Sequence, residues 1–224
     1  MIVKIKRQRT PDSSPYWQNF LYDGPLHVTV SAVLDAINYT DDLFDTEGNP
    51  APRIRWECSC TQAICGGCAM VINGVPALAC NTFADKIKGK ELVLEPLSKF
   101  PVVADLIVDR SEIYENLNRA KAYIESLAMS RKEHYEQQYS VSKCLKCGLC
   151  LEVCPNYHPG GKFFGAVFAN ESYLITSQSA DEGPELVKEY KAHFGAGCSK
   201  ALSCQTVCPV GIETLTSILK MNRK

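Results

Sequence analysis

The spacing of the cysteines constrains this chain more than any other feature of its sequence. All but one of its 12 cysteines fall into three runs, and two of the runs end in Cys-Pro. The chain has 224 residues, which is longer than the small secreted domains that disulfides usually hold together. Clustered cysteines in a chain of this kind predict metal binding rather than disulfide bonds.

The first run has the spacing of a plant-type [2Fe–2S] ferredoxin, C-x4-C-x2-C with a fourth cysteine further along the chain. Gly66 and Gly67 favour this interpretation, since residues without a Cβ let backbone N–H groups come close to inorganic sulfide. A zinc site and four simply buried cysteines are the alternatives, although structural zinc usually takes paired C-x2-C knuckles. The predicted [2Fe–2S] ligands are Cys60, Cys65, Cys68 and Cys80.

The second run matches the bacterial ferredoxin pattern C-x2-C-x2-C-x3-C-P. It consists of Cys144, Cys147, Cys150 and Cys154, the last followed by a proline. In that pattern the fourth cysteine binds the other cluster of a pair. The first three cysteines are therefore expected to hold one [4Fe–4S] cluster, and Cys154 is expected to belong to a second cluster.

The third run repeats the second with one cysteine replaced. Its members are Cys198, Cys204 and Cys208, and Ala201 stands where the middle cysteine would be. By the same exchange, Cys208 is the fourth ligand of the [4Fe–4S] cluster. Cys154, Cys198 and Cys204 remain, and three thiolates predict a [3Fe–4S] cluster, or a [4Fe–4S] cluster with one iron on a non-protein ligand.

The two halves of the chain predict different secondary structure. Strands dominate up to about residue 100, with a hairpin turn at Asn73-Gly74 and a short helix capped by Ser31. Beyond it, apolar residues from Ile113 to Leu127 recur at three- and four-residue steps and predict an amphipathic helix. The segment Pro96 to Pro101 marks the boundary, so the predicted domains are residues 1–100 and 101–224. Strands are predicted near 2–5, 20–22, 70–72, 75–78 and 92–94, and further helices near 164–173, 184–194 and 214–221.

Charge and hydropathy narrow the range of partners. The formal net charge is −1, so no overall basic field exists to hold nucleic acid. The N-terminus alternates apolar and basic residues without the apolar core of a secretory signal. No run approaches the roughly 18 apolar residues of a membrane-spanning helix. If the protein works at a membrane, we expect another subunit to anchor it.

With the residues around them, these cysteine runs resemble the iron–sulfur subunit of the succinate dehydrogenase/fumarate reductase family. A plant-type motif followed by two bacterial-type runs, with one cysteine missing from the last, is characteristic of this family. The resemblance covers nearly the whole chain, and the segments that carry it are residues 55–70, 73–80, 94–97 and 100–109 together with the two ferredoxin runs.

This resemblance implies an α+β fold, in which an N-terminal β-grasp plant-type ferredoxin domain precedes a C-terminal α-helical bacterial-type domain. It also implies a flavoprotein partner, which carries covalently bound FAD and the succinate/fumarate site, and membrane anchor subunits that hold the protein at the cytoplasmic side of the membrane. Electrons would pass in the order FAD, [2Fe–2S], [4Fe–4S], [3Fe–4S], quinone, or in reverse. The chain itself would carry electrons and have no catalytic residue.

The chain departs from the family at the expected quinone site. Members that use ubiquinone commonly have aromatic residues, including tryptophan, after the second run, where residues 156–161 read Asn-Tyr-His-Pro-Gly-Gly here. Ser199 stands where the family can have a histidine. Menaquinone, another acceptor or a different anchor are therefore open alternatives. Two rival functions also stay open: a soluble complex with a non-quinone partner, and a stand-alone carrier or redox sensor.

Four residues near the runs have both a functional and an ordinary interpretation. Lys143 and Lys146 flank the [4Fe–4S] ligands and would raise the cluster potential, or they form a solvated face. His158 would touch a quinone, or it is a solvated loop residue. Cys58 is expected to be an idle buried thiol, with a role as an alternative ligand as the other option.

Overall fold

Alternating side chains build the first strand, β1 (Ile2–Arg7), in which Val3, Ile5 and Arg7 are buried. Two of these residues are apolar, and the third is a charged residue on the same inward face. The computed structural model describes residues 1–129 and 132–223. It divides the chain into two compact units, Met1–Asp109 and Arg110–Lys224.

A mixed five-stranded sheet forms the centre of the first unit. Strand β1 pairs antiparallel with β2 (Tyr16–Leu21) and parallel with β5 (Glu91–Glu95). Strand β5 pairs antiparallel with β3 (Ala69–Ile72), which pairs antiparallel with β4 (Val75–Leu78). The strand order is therefore β2-β1-β5-β3-β4. A second small sheet pairs β6 (Val102–Ala104) with β7 (Ile107–Val108).

The predicted hairpin turn at Asn73-Gly74 is confirmed. Both residues have positive φ, 46° and 79°, as a type I′ turn requires. The Asn73 side chain also accepts a hydrogen bond from Val93 N–H (2.7 Å) and donates one to Glu91 O (2.9 Å). The turn residue thus ties the β3–β4 hairpin to β5 as well as reversing the chain.

Helix α1 (Val30–Asn38) begins earlier than the sequence pattern predicts. Its N-cap is Thr29, whose hydroxyl accepts a hydrogen bond from Ala32 N–H (3.3 Å). The prediction of Ser31 as the cap was wrong, because Ser31 already lies in the first turn and is buried. Thr caps helices as Ser does, and the position at which the chain leaves the preceding segment makes Thr29 the cap here.

Helices dominate the second unit. Two of them are single short turns, α4 (Leu149–Glu152) and α7 (Ser203–Thr206). In the described part of the chain, no helix combines the length and apolarity needed to cross a bilayer. The longer helices are α2 (Ser111–Arg119), α3 (Tyr135–Ser142), α5 (Gly165–Gln178), α6 (Gly183–His193) and α8 (Thr214–Met221).

The predicted helix from Ile113 to Leu127 is shorter than its apolar pattern indicates. Helix α2 ends at Arg119, because Lys121 adopts a positive φ of 49° and two bonds close a Schellman motif. In that motif Ala122 N–H donates to Leu117 O (2.8 Å) and Lys121 N–H donates to Asn118 O (3.0 Å). Downstream, Leu127 is 85 % exposed, so the end of the apolar pattern does not face the core.

Helix α5 organises the core of the second unit by packing against α3, α6 and α8. Phe168, Tyr173 and Ile175 of α5 are buried with Tyr190 of α6 and Ile218 of α8. The cysteine runs border this core, since Cys144, Cys198 and Cys208 pack against it. The strand-rich first unit and helical second unit confirm the predicted α+β class.

Candidate iron–sulfur sites

The loop of the first run aims backbone donors at a cysteine sulfur. Cys60 Sγ accepts hydrogen bonds from the N–H groups of Gln62 (3.4 Å), Ile64 (3.3 Å) and Cys65 (3.3 Å). These bonds, that of Gln62 foremost, lower the pKa of Cys60 from 9.0 to about 6. Positive φ angles at Thr61, Ala63 and Gly66 make this curled loop possible.

The fourth predicted ligand reaches the loop from the β3–β4 hairpin. Cys80 Sγ lies 3.3 Å from Cys68 Sγ, and Ala63 N–H donates to Cys80 Sγ at 3.3 Å. Cys65 Sγ accepts from Gly67 N–H at 3.4 Å, so a glycine of the loop does serve as a close donor. Converging sulfurs with N–H groups directed at them suit a thiolate-ligated cluster.

Burial distinguishes the thiols of this loop from one another. Cys68 is buried, and desolvation raises its pKa to about 12. Burial also raises the pKa of Cys58, and the charges of Cys80, Cys65 and Cys60 raise it further. Cys58 therefore lies close to the predicted ligands, and its assignment as an idle thiol stays a prediction.

A cavity in the second unit brings together the cysteines that the ligand exchange assigns to one cluster. Burial raises the pKa of the Cys147 thiol to about 11 and that of Cys150 well above its usual value. Iron bound to such sulfurs supplies the positive charge that favours the thiolate form. Sulfur donors from both runs therefore fit a [4Fe–4S] cluster here. The cavity is lined by Cys144, Cys147, Cys150 and Cys208, by Cys204, and by Leu145, Gly148, Val167, Asn170, Pro209, Val210, Ile212 and Thr214.

The two lysines of the second run have different surroundings. Lys146 forms an ion pair with Glu171 of α5, and both side chains are mostly buried. Burial is the largest single influence and lowers the pKa of Lys146, but the charges of Glu171 and Cys144 and the hydrogen bond to Glu171 together outweigh it, so the pKa lies above its usual value. Lys143 lies over the ring of Tyr139, with its ammonium 5.3 Å from the ring centre. Glu171 thus neutralises part of the positive field that Lys146 adds at the cluster site.

The third run repeats the backbone of the second although it lacks the middle cysteine. In the second run Lys146 and Gly148 have positive φ, 53° and 86°, just before α4. In the third run Lys200 and Leu202 have positive φ, 60° and 58°, just before α7. Ala201 therefore occupies the place that Cys147 has in the second run.

The three remaining cysteines are brought together by contacts between the two runs. Burial raises the pKa of Cys204, and the charges of Cys154 and then Cys198 raise it further. Ser203 Oγ donates to Val153 O (3.3 Å), holding α7 against the segment that carries Cys154. The structure thus brings the segments of Cys154 and Cys204 together, and with Cys198 they offer the three sulfur donors that a [3Fe–4S] cluster takes.

Comparison with known proteins agrees with this division of the sites. The 2Fe-2S iron-sulfur cluster binding domain family matches residues 2–115. Two 4Fe-4S dicluster domain families match residues 140–212 and 110–158. The succinate dehydrogenase iron-sulfur subunit of Bacillus subtilis is 32 % identical and covers 98 % of this chain and 90 % of its own length. The fumarate reductase iron-sulfur subunit of Escherichia coli is 30 % identical, with 92 % and 85 % covered.

The chain belongs to the succinate dehydrogenase/fumarate reductase iron–sulfur subunit family. The resemblance identified from the sequence motifs is thereby confirmed. A chain of the Mycobacterium smegmatis Sdh1 complex in the apo form has the same fold, with a TM-score of 0.76 at 22 % identity. The match covers 99 % of this chain and 93 % of that one.

The expected quinone residue of this iron–sulfur subunit is not distinguished by its surroundings. His158 is exposed in the loop after the second run, where its carbonyl accepts from Gly161 N–H (3.0 Å). Ser199, in place of the family histidine, donates to Asn156 Oδ1 (2.7 Å). A site for a single metal ion is a separate question: within residues 1–129 and 132–223, no three His, Cys, Asp or Glu side chains are arranged to bind one. The quinone role of His158 stays a prediction.

Sequence reasoning missed a buried ion pair that holds the segment before the first run. Arg7 Nε and Nη2 lie 2.9 Å from the two carboxylate oxygens of Asp105. Arg7 also donates to Pro52 O and Arg53 O, and Asp105 accepts from Arg55 N–H. The signal was present in the pattern of β1, since Arg7 continues the inward face of the strand and a charge there needs a partner.

Proposed function

We propose that this chain is the electron-transfer subunit of a quinone-linked succinate dehydrogenase/fumarate reductase complex. It relays electrons between the FAD of a flavoprotein subunit and a quinone at the cytoplasmic side of a membrane, to which anchor subunits hold it. The clusters, when bound, accept and release single electrons. The relay order is FAD, [2Fe–2S], [4Fe–4S], [3Fe–4S], quinone. The same series of cofactors, used in opposite directions, serves succinate oxidation and fumarate reduction.

The proposal assigns the cysteines of the three runs to three clusters. One observation carries it: Cys208 of the third run, with its neighbour Cys204, lines the same cavity as Cys144, Cys147 and Cys150 of the second. This is the arrangement that ligand exchange between two bacterial-type runs produces. The proposed ligands are Cys60, Cys65, Cys68 and Cys80 for [2Fe–2S]; Cys144, Cys147, Cys150 and Cys208 for [4Fe–4S]; and Cys154, Cys198 and Cys204 for [3Fe–4S].

The residues of the chain hold the clusters and set their surroundings. Backbone N–H groups of the first run stabilise electron-rich sulfur, as the three bonds to Cys60 illustrate. In the second unit Val167 and Ile212 add apolar surface to the lining of the cavity. Ile212 N–H also donates to Cys208 Sγ at 3.4 Å. Burial and N–H···S bonds are the means by which a protein adjusts the potential of such a cluster.

Metal analysis and spectroscopy test the ligand assignment. Anaerobically isolated protein should contain about nine irons and matching acid-labile sulfide per chain, from two, four and three irons. EPR of the oxidised protein should show a [3Fe–4S] signal. Cys208→Ser should remove the [4Fe–4S] signal selectively, whereas the control Cys58→Ser should leave all three signals intact. Iron-free, folded protein would contradict the proposal.

The partners are tested on the whole complex. The chain should co-purify with a larger flavoprotein, fractionate with membranes and support quinol:fumarate activity. A complex that stays in the soluble fraction and lacks quinol activity would instead support a non-quinone electron partner. Isolation of the chain without any flavoprotein would favour a stand-alone carrier.

A further inference from the structure

A buried asparagine in the [4Fe–4S] cavity has a polar atom without a partner. Asn170 of α5 is only 4 % exposed and lines the cavity with the cysteines. Its Nδ2 lies 3.1 Å from Thr214 Oγ1, at the start of α8. Among the described residues, its Oδ1 has no hydrogen-bond partner. A buried amide group left unpaired in this way destabilises a protein, so its position needs an explanation.

Rotating the amide by 180° accounts for both of its polar groups. The oxygen and nitrogen of an asparagine are distinguished only by their hydrogen-bonding partners. Thr214 is 2 % exposed, and its hydroxyl can donate as well as accept. With the amide rotated, Thr214 Oγ1 donates to Asn170 Oδ1, and the NH2 group is released toward the cavity. Five cysteines line this cavity with Asn170, and their sulfurs accept hydrogen bonds more readily as thiolates.

We propose that Asn170 is a tuning residue of the [4Fe–4S] site, which donates a side-chain N–H···S hydrogen bond to the cluster and is oriented by the Thr214 hydroxyl. This inference rests on the proposed [4Fe–4S] assignment. A donor on the cluster stabilises the reduced form, which carries one more negative charge, over the oxidised form. Asn170 thus raises the potential of the middle cluster of the relay.

An EPR-monitored redox titration of the intact complex tests the proposal. Asn170→Leu keeps the approximate volume and removes the donor, so the [4Fe–4S] midpoint potential should fall. The expected change is on the order of tenfold in the reduction equilibrium, about 59 mV for one electron. Thr214→Val should lower the potential by a smaller amount, since the amide remains but loses the group that orients it.

The matched control is Ser172→Ala. Ser172 is a fully buried polar residue on the same helix that does not line the cavity. This substitution should leave the [4Fe–4S] potential unchanged, which separates an effect of the donor from a general disturbance of α5.

A measurement on the wild-type protein covers the case in which Asn170→Leu fails to fold. Protein labelled with ¹⁵N only at asparagine should show a ¹⁵N hyperfine coupling to the reduced cluster by pulsed EPR. Of the residues that line the cavity, Asn170 is the one asparagine within the described chain.

Each outcome has a distinct meaning. A fall in potential with the ¹⁵N coupling supports the proposal. A rise in potential would show that the carbonyl faces the sulfurs, and an unchanged potential would show a purely structural residue; either result overturns it. Absence of any [4Fe–4S] signal from the reduced wild-type protein would instead contradict the proposed function.

Discussion

Arg7 illustrates how a single charged side chain can support the site from a distance. It is fully buried, and its guanidinium donates hydrogen bonds to the Asp105 carboxylate, to Gln18 Oε1 and to two backbone carbonyls. Asp105 in turn accepts from the N–H groups of Gln8 and Arg55. The pair therefore joins β1 and the β6–β7 turn to the segment that leads into the first cysteine run.

Replacing one member of this pair should destabilise the first unit strongly. Arg7→Met leaves the Asp105 carboxylate buried without its counter-charge, and we expect the free energy of unfolding to fall by about 3–5 kcal/mol. Anaerobic urea unfolding, followed by the fluorescence of Trp17 and Trp56, measures this change in the first unit.

The matched control for this prediction is Lys6→Met on the same strand. Lys6 pairs with Glu95 at 3.3 Å, but the two side chains are 39 % and 31 % exposed. Water already screens this pair, so the substitution should change the free energy of unfolding by about 1 kcal/mol or less. Equal effects of the two substitutions would contradict the role assigned to burial.

At the scale of elements, the start of α5 depends on a residue without a side chain. Gly165, the first residue of α5, has a φ of 74°, and a Cβ added to it would overlap Leu151 Cδ2 of α4. Because glycine has no Cβ, α5 can begin directly against α4, the short helix of the second cysteine run. Both the backbone conformation and the close approach exclude a larger residue.

Adding one methyl group at this position should therefore be costly. We expect Gly165→Ala to lower the free energy of unfolding of the second unit by about 1–3 kcal/mol, as overpacked cores do. Gly183→Ala is the control, because Gly183 begins α6 without a positive φ, and a Cβ added there would have nothing within 4 Å. Far-UV circular dichroism during anaerobic denaturation compares the two variants, and similar stabilities would refute the argument.

The repeated backbone of the two bacterial-type runs makes a different prediction. Because Lys200 and Leu202 adopt the same left-handed conformations as Lys146 and Gly148, a thiol at Ala201 should point as Cys147 does. We expect Ala201→Cys to replace the [3Fe–4S] signal of the oxidised protein by a [4Fe–4S] cluster, measured by EPR and iron content.

The control introduces a cysteine at a different position of the same run. Ser199→Cys adds a cysteine two residues away, where the Ser199 side chain is bonded to Asn156. It should leave the [3Fe–4S] signal unchanged. If Ala201→Cys retained the [3Fe–4S] signal, the backbone of the third run would not direct a thiol at position 201 toward the cluster as the second run directs Cys147.

At the scale of the whole molecule, the clusters should contribute to folding as well as to electron transfer. Without iron, buried thiols such as Cys147 and Cys150 keep their protons, as their raised pKa values indicate, and the segments that carry them lose a shared anchor. Removing the iron anaerobically with a chelator should therefore lower the melting temperature of the protein. Reconstitution with iron and sulfide should restore it, and identical melting of both forms would contradict this expectation.

The structure also shows which sequence signals are ambiguous. The apolar pattern from Ile113 to Leu127 predicted one helix, but Lys121 takes a left-handed conformation that the pattern does not encode, and the helix ends at Arg119. Likewise Ser31 was predicted as the cap of α1, but the helix already begins at Val30 and Thr29 caps it. The strands β6 and β7 are short, and their pairing was not predicted from composition.

The sequence by itself determined the family and predicted the cluster chemistry, because a cysteine run specifies both the donor atoms and the order in which a short loop presents them. It also determined the α+β class and the Asn73-Gly74 hairpin, which depend on local periodicity and turn conformation. Only the tertiary structure decided which residues surround the cysteines, since Arg7 and Asp105 lie 98 positions apart and Asn170 and Thr214 lie 44 apart. Contacts of that kind arise from the packing of distant elements, and no local pattern records them.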